Sequence, residues 1–175
     1  PAGFCAFPYG AYLQNEQMMQ LAAKGGNNAE SHNHNDIGNF IVYHNNQPVV
    51  IDLGRDTYTS KSFSNQRFEL MNCRSAYHNV PIINGLEQKD GRKYRAEKVS
   101  HVFSEVVSSL SLNLEKAYTD GAHVDKWQRT IALDGHLEAK IMTTEQSWKL
   151  SAVMGGYSLL KKIWGVNAGD TGIDS

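Results

Sequence analysis

Cysteine is scarce in this chain: there are 2 in 175 residues, Cys5 and Cys73, far apart and without Cys-x-x-Cys spacing. That excludes a thiolate zinc ribbon or a disulfide framework as the organising feature. Proline is also scarce, 4 residues against 15 glycines, and with 41% hydrophobic and 20% charged residues the composition shows neither disorder nor low complexity. No apolar run approaches the roughly 18 residues that suggest a membrane span. No signal peptide begins the chain, and Pro1 in place of Met reads as the start of a piece of a longer protein. Net charge is nearly absent, at -1, which argues against a broadly basic nucleic-acid surface. Local basic residues (Arg55, Arg67, Arg74, Arg92, Lys93, Arg95) still offer places for an anionic ligand. Common catalytic fingerprints are missing as well: there is no Gly-x-Ser-x-Gly elbow, P-loop or dinucleotide motif. Glu138 and Glu145 show no partner that would make a glycosidase pair.

What the chain does have is concentrated in Glu30-Ser-His-Asn-His-Asn-Asp-Ile-Gly-Asn-Phe40, which packs two imidazoles and a carboxylate into five residues. On an extended backbone, side chains two residues apart share a face, so His32 and His34 converge on one ion or one substrate group. A third ligand must then come from elsewhere. The length suits one domain, residues 1–175, long enough to bury a sizeable core.

The runs that follow predict β-structure. Within 11–24 the composition favours a helix, while Met19, Leu21 and Ala23 alternate as in a strand, and Gly25-Gly26-Asn27-Asn28 ends either element. Residues 40–43 and 49–51 read as a β-hairpin turning at Asn45-Asn46. With a two-residue turn, His44 pairs with Gln47 and the ladder brings Asn39 opposite Asp52, with Gly38 a place for a bulge or kink. Residues 54–74 form a long connection, with a short helical turn at 66–71, of the kind that carries function. Residues 78–85 hold a short apolar strand ended by Asn84-Gly85. Further β-like runs fall at 99–103, 106–114, 129–133, 136–143 and 148–153, divided by Lys89-Asp-Gly91, Thr119-Asp-Gly121 and Asp134-Gly135. These intervals are typical of sandwiches. The expected fold class is an all-β, antiparallel β-sandwich.

His34, Asp52 and His78, with His32 close by, make a three-ligand divalent metal site with an open position, zinc being the first guess for nitrogen ligands. The competing reading is of hydrogen-bonded loop histidines. Tyr58, Tyr77 and Tyr94 are weaker candidates for proton transfer, since sandwich tyrosines usually bury the ring and wet the hydroxyl. Asn33, Asn35 and Asn79 either orient ligands from behind or accommodate tight turns.

Several blocks in order resemble one family. They are Ala22-Ala-Lys-Gly-Gly-Asn-Asn-Ala-Glu-Ser-His-Asn-His-Asn-Asp-Ile-Gly-Asn-Phe40, Pro48-Val-Val-Ile-Asp-Leu-Gly54, Arg74-Ser-Ala-Tyr-His-Asn-Val-Pro-Ile-Ile-Asn-Gly85, Ala117-Tyr118 and Trp127-Gln-Arg-Thr130. From about Tyr12 to Thr144 the chain resembles the C-terminal β-domain of heparinase II/III-like polysaccharide lyases. The resemblance implies a supersandwich-like domain that packs against an N-terminal (α/α) toroid, with a uronic-acid polysaccharide, heparin/heparan-sulfate-like or alginate-like, held between them. It implies β-elimination: a base removes the C5 proton of the uronate, polar groups neutralise its carboxylate, and the 4-linked oxygen departs. Carried over by motif, it implies a catalytic or substrate-contacting His32, zinc ligands His34, Asp52 and His78, and Asp36 demoted to loop structure. Arg74 and Asn33 are the expected substrate contacts. A periplasmic or secreted location follows from the same resemblance. The toroid, which carries further catalytic groups in that family, is absent from these residues, so the chain alone is expected to bind metal and cleave polysaccharide poorly or not at all. The alternative is a non-catalytic carbohydrate-binding or structural sandwich whose zinc pins loops together.

Overall fold

Residues 19–24, where composition and pattern disagree, form a strand in the computed structural model, because neighbours on both sides complete its backbone hydrogen bonds. Leu21 and Ala23 are buried while Gln20, Ala22 and Lys24 are partly exposed. The structure describes residues 3–7, 10–14, 19–54, 57–104, 107–134, 139–145 and 153–154. Among these, the strands are β1 (Gly3–Phe7), β2 (Gly10–Gln14), β3 (Met19–Lys24), β4 (Asn27–Asn28), β5 (Phe40–His44), β6 (Gln47–Val50), β7 (Pro81–Ile82), β8 (Gly91–Arg95), β9 (Glu97–Phe103), β10 (Val107–Asn113), β11 (Trp127–Asp134), β12 (Ala139–Glu145) and β13 (Val153–Met154). The expected run at 148–153 and the turn at Asp134-Gly135 fall largely outside the described residues.

All strand pairs are antiparallel. One sheet has the order β1-β2-β3-β5-β6 and the other β12-β11-β10-β9, with small pairs β13-β7 and β4-β8. Leu21, Phe40 and Val42 of the first sheet and Leu110, Leu112 and Ile131 of the second are buried in one core. Each such side chain contributes about 1.5–3 kcal/mol on burial. The molecule is an all-β, antiparallel sandwich, as the strand spacing predicts.

The hairpin β5–β6 turns at Asn45 and Asn46, both left-handed at φ 49° and 59°, and His44 pairs with Gln47 as expected. The register then slips: Tyr43 faces Pro48 but Val42 faces Val50. Val49 is the extra residue of a β-bulge, so the ladder does not run on to set Asn39 against Asp52. The Asn79 side-chain amide spans the gap instead, donating to the carbonyls of Phe40 and Ile51, each at 2.9 Å. The connection after Gly54 contains four short 3-10 turns, Ser60–Phe63, Arg67–Glu69, Met71–Cys73 and Ser75–Tyr77, the last delivering His78.

Arg129 on β11 ties the second sheet to the loops above the core. It is 1% exposed, its guanidinium donates to the carbonyls of Gly38 and Asn79 at 2.7 Å each, and it lies 5.4 Å from the ring centroids of both Phe40 and Trp127.

Candidate metal centre

The loop between β4 and β5 is built by its polar side chains. The Asn27 side chain accepts from the Ala29 N–H at 2.9 Å and donates to Glu30 Oε1 at 2.6 Å, which turns the chain back on itself. His32 then takes a left-handed φ of 57° and is exposed. The extended backbone that would put His32 and His34 on one face is therefore replaced by a turn: His32 faces solvent while His34 is partly buried. At Gly38, φ is 88° and an added Cβ would lie 2.7 Å from Leu114 Cδ1, so a glycine is required there. Beneath the loop, the Lys24 ammonium donates to Asn33 Oδ1 and Asp36 Oδ1, and to the His34 carbonyl at 3.3 Å. Gln88, buried in the core, grips the backbone of Ile37 from both sides, accepting from its N–H at 2.9 Å and donating to its carbonyl at 2.8 Å.

At the centre, ligand atoms of Asp36, Asp52 and His78 all lie within 4.8 Å of one another. His78 Nδ1 is 2.6 Å from Asp52 Oδ1, and Nε2 is 3.0 Å from the Asn72 carbonyl. Both ring nitrogens thus face acceptors, which suits an imidazolium. Burial works against that charge, but the Asp52 hydrogen bond and the charges of Asp36 and Asp52 outweigh it and raise the His78 pKa above its usual value. Burial likewise pushes Asp52 up, yet its hydrogen bond to His78, the His78 charge, the Leu53 N–H and the Asn39 side chain hold it below the usual carboxylate value. The His34 ring stacks on His78 with centroids 5.2 Å apart and planes at 28°. Burial, joined by the charges of His78, Lys24 and Arg67, lowers the His34 pKa against the opposing pull of Asp36. The two stacked rings are thus shifted in opposite directions, His34 towards the neutral form that binds a metal.

The donor set fits a divalent cation: two carboxylates and an imidazole converge, and a second imidazole stacks alongside. Lys24 pairs with Asp36 and the His78 ring with Asp52. A bound ion would displace the His78 proton. Asn35, between His34 and Asp36 in sequence, has a buried side-chain oxygen with no hydrogen-bond partner among the described residues.

Of the residues the sequence singles out, Asp52 and His78 come together, and His34 joins them as the stacked neighbour. Asp36, demoted on the resemblance, is inside the cluster. Its His-x-His-x-Asp spacing carried the signal. Lys24 was not singled out: it lies on the preceding strand, and only the folded loop brings its ammonium to Asp36. His32 stands at the surface with its ring 6.4 Å from that of Tyr58 in an edge-on arrangement, and Tyr58 packs on Phe63 at 5.4 Å. Asn33 is buried, with its oxygen on Lys24 and its amide on the Asn27 carbonyl at 2.9 Å. Arg74 forms a two-pronged ion pair with Glu87 and lies over the Tyr77 ring at 5.7 Å. Cys73 is a buried free thiol.

An antiparallel sandwich with a cluster of two carboxylates and an imidazole defines the class: an all-β domain with a candidate divalent-cation site. Residues 3–141 match the family model described as heparinase II/III-like, C-terminal, and the chain belongs to that family. A comparison with curated proteins found no match. No helix among the described residues is long and apolar enough to cross a membrane, which says nothing of spans made by strands.

Proposed function

We propose that residues 1–175 are a single domain, the metal-bearing β-sandwich of a periplasmic or secreted polysaccharide lyase that cleaves a uronic-acid polysaccharide by β-elimination. The observation that carries this reading is the division of labour within one loop: His32 is exposed beside an aromatic pair, while Asp36 and His34 turn inward to Asp52 and His78. In the proposed arrangement zinc is held by Asp52 and His78 with His34 or Asp36, and when bound it supplies positive charge that fixes the loop beneath the substrate. His32 meets the sugar, either taking the C5 proton or hydrogen-bonding the uronate. Arg74 presents its guanidinium to a substrate anion, for which it must exchange part of its pairing with Glu87. Asn33 acts on substrate indirectly, by holding the turn that sets His32. The toroid domain of the same parent chain supplies the remaining catalytic groups.

The pairing of Lys24 with Asp36 and of the His78 ring with Asp52 favours a second reading, in which the cluster is a polar network that pins loops without catalysis. Metal analysis of protein purified without added metal separates the two. The lyase reading expects near-stoichiometric zinc, reduced in His78→Ala, and ultraviolet-absorbing unsaturated product once the domain is joined to its toroid. Negligible zinc in wild type and variant alike would sink it.

A further inference from the structure

The densest charge in the chain plays no part in the metal centre. Residues 89–98 hold five basic side chains (Lys89, Arg92, Lys93, Arg95, Lys98) and two acidic ones (Asp90, Glu97), a charge of +3 in a chain whose total is -1. Basic clusters of five to eight residues are a signature of polyanion patches. Here the cluster is not a coil but the strand β8 and the start of β9, joined at Ala96, and Arg92, Lys93, Arg95 and Lys98 are all exposed. Arg92 and Lys93 lie between Gly91 and Arg95, the two residues of β8 that pair with β4, in a bulged stretch where four steps of β8 face one step of β4. Glu97 pairs with Arg95 at 2.7 Å. Among the described residues no carboxylate pairs with Arg92, Lys93 or Lys98.

Two features of the backbone bear on what this strand is for. Lys98 has a left-handed φ of 48° at a register shift between β9 and β10, a position where glycine costs least and where a bulge re-aims a side chain. Second, β8 is hydrogen-bonded to the segment that leads into the histidine loop. Arg95 pairs with Asn27 and Gly91 with Asn28, the Ala96 N–H donates to the Gly26 carbonyl at 2.9 Å, and the Asn27 carbonyl is the partner of the Asn33 amide.

We propose that β8 and the start of β9 form an accessory binding strand for a linear polyanionic polysaccharide. Arg92, Lys93 and Lys98 take its carboxylate or sulfate groups while the same chain lies near His32. The identity of the ligand rests on the lyase-domain reading; the test does not need it. Affinity of the 175-residue protein is measured by calorimetry, with a chelator present, for a sulfated glycosaminoglycan oligosaccharide, an unsulfated polyuronate and a DNA duplex, at about 50 and about 200 mM salt. The double variant Arg92→Glu, Lys93→Glu is compared with Lys126→Glu, Lys140→Glu, which makes the same charge change outside β8 and the Glu115–Ala117 turn that packs on it. Saccharide affinity is expected to fall at least about tenfold in the first, with the salt slope reduced by about two, and less than about threefold in the second. Binding of only the sulfated saccharide would assign the site to sulfate; binding of both would show that carboxylate suffices. Equal losses in the two doubles, no saccharide binding by wild type, or tighter binding of DNA would overturn the proposal. So would aggregation of the first double with unchanged affinity, which would make the charges mere protection of exposed strand edges. Because zinc is chelated throughout and the readout is saccharide affinity rather than metal content or cleavage, failure of the lyase reading and failure of the accessory strand give different results.

Discussion

Replacing Arg129 by methionine tests how far one buried cation holds the site together. Its guanidinium joins the Gly38 carbonyl, in the loop bearing His34 and Asp36, to the Asn79 carbonyl next to His78. A buried carbonyl stripped of its donor costs about 1–3 kcal/mol, so the two together cost roughly 2–6 kcal/mol. Losing the contacts with the Phe40 and Trp127 faces adds about 1 kcal/mol. Methionine keeps apolar volume and removes the penalty of burying a charge, which brings the expected net loss to about 3 kcal/mol. At about 2–4 °C per kcal/mol for a chain of this size, the melting temperature drops roughly 6–12 °C. Denaturant titration with a chelator present gives the free energy directly, and a midpoint shift with unchanged slope would locate the effect in the folded state. At a temperature where both proteins are folded, zinc affinity is expected to fall about tenfold, because the two segments that present ligands are no longer clamped. Arg129→Lys, which keeps the charge but loses the planar guanidinium beside the Phe40 and Trp127 rings, is expected to lie between. A loss below about 1 kcal/mol, or a full loss of stability with zinc affinity untouched, would refute the argument.

Gly38→Ala is expected to cost about 2–4 kcal/mol in thermal or denaturant unfolding, since a φ of 88° penalises any Cβ and the methyl meets the side chain of Leu114, which is 0% exposed. Metal content after equilibration with limiting zinc separates the two ligand sets: retention in Asp36→Asn with loss in His34→Ala supports the His34, Asp52, His78 set, and the reverse supports Asp36. In metal-free protein the His78–Asp52 pair gives a stability plateau. Asp52, with its pKa depressed from 3.8, contributes fully above that value and loses its contribution as pH falls through the lower folded pKa. His78, with its pKa raised from 6.5, contributes fully below that value and loses its contribution as pH rises through the higher folded pKa. Melting temperatures in chelator should therefore be highest between pH 3.8 and 6.5 as far as this pair is concerned. His78→Gln should flatten the fall on the alkaline side. Zinc affinity runs the other way and rises with pH, because the ion competes with the His78 proton.

The sequence by itself determined the class of fold and part of the candidate cluster, Asp52 with His78. β-branched runs separated by Asn and Gly turns can bury one face only by pairing into sheets, so the antiparallel sandwich was legible, as were the Asn45-Asn46 turn and the grouping of Asp52 with His78. What it could not carry was parity and reach. A single extra residue, Val49, shifts the hairpin ladder by one, and nothing in the local pattern separates a paired valine from a bulged one. The geometry of His32 and His34 depended on the turn made by Asn27 and Glu30, so a two-residue spacing read as one shared face became one exposed ring and one partly buried ring. Lys24, Gln88 and Arg129 are distant in sequence from the loop they hold. The tertiary structure alone decided that their polar groups meet its backbone and carboxylates, because a buried donor must find an acceptor in space, wherever in the chain that acceptor lies.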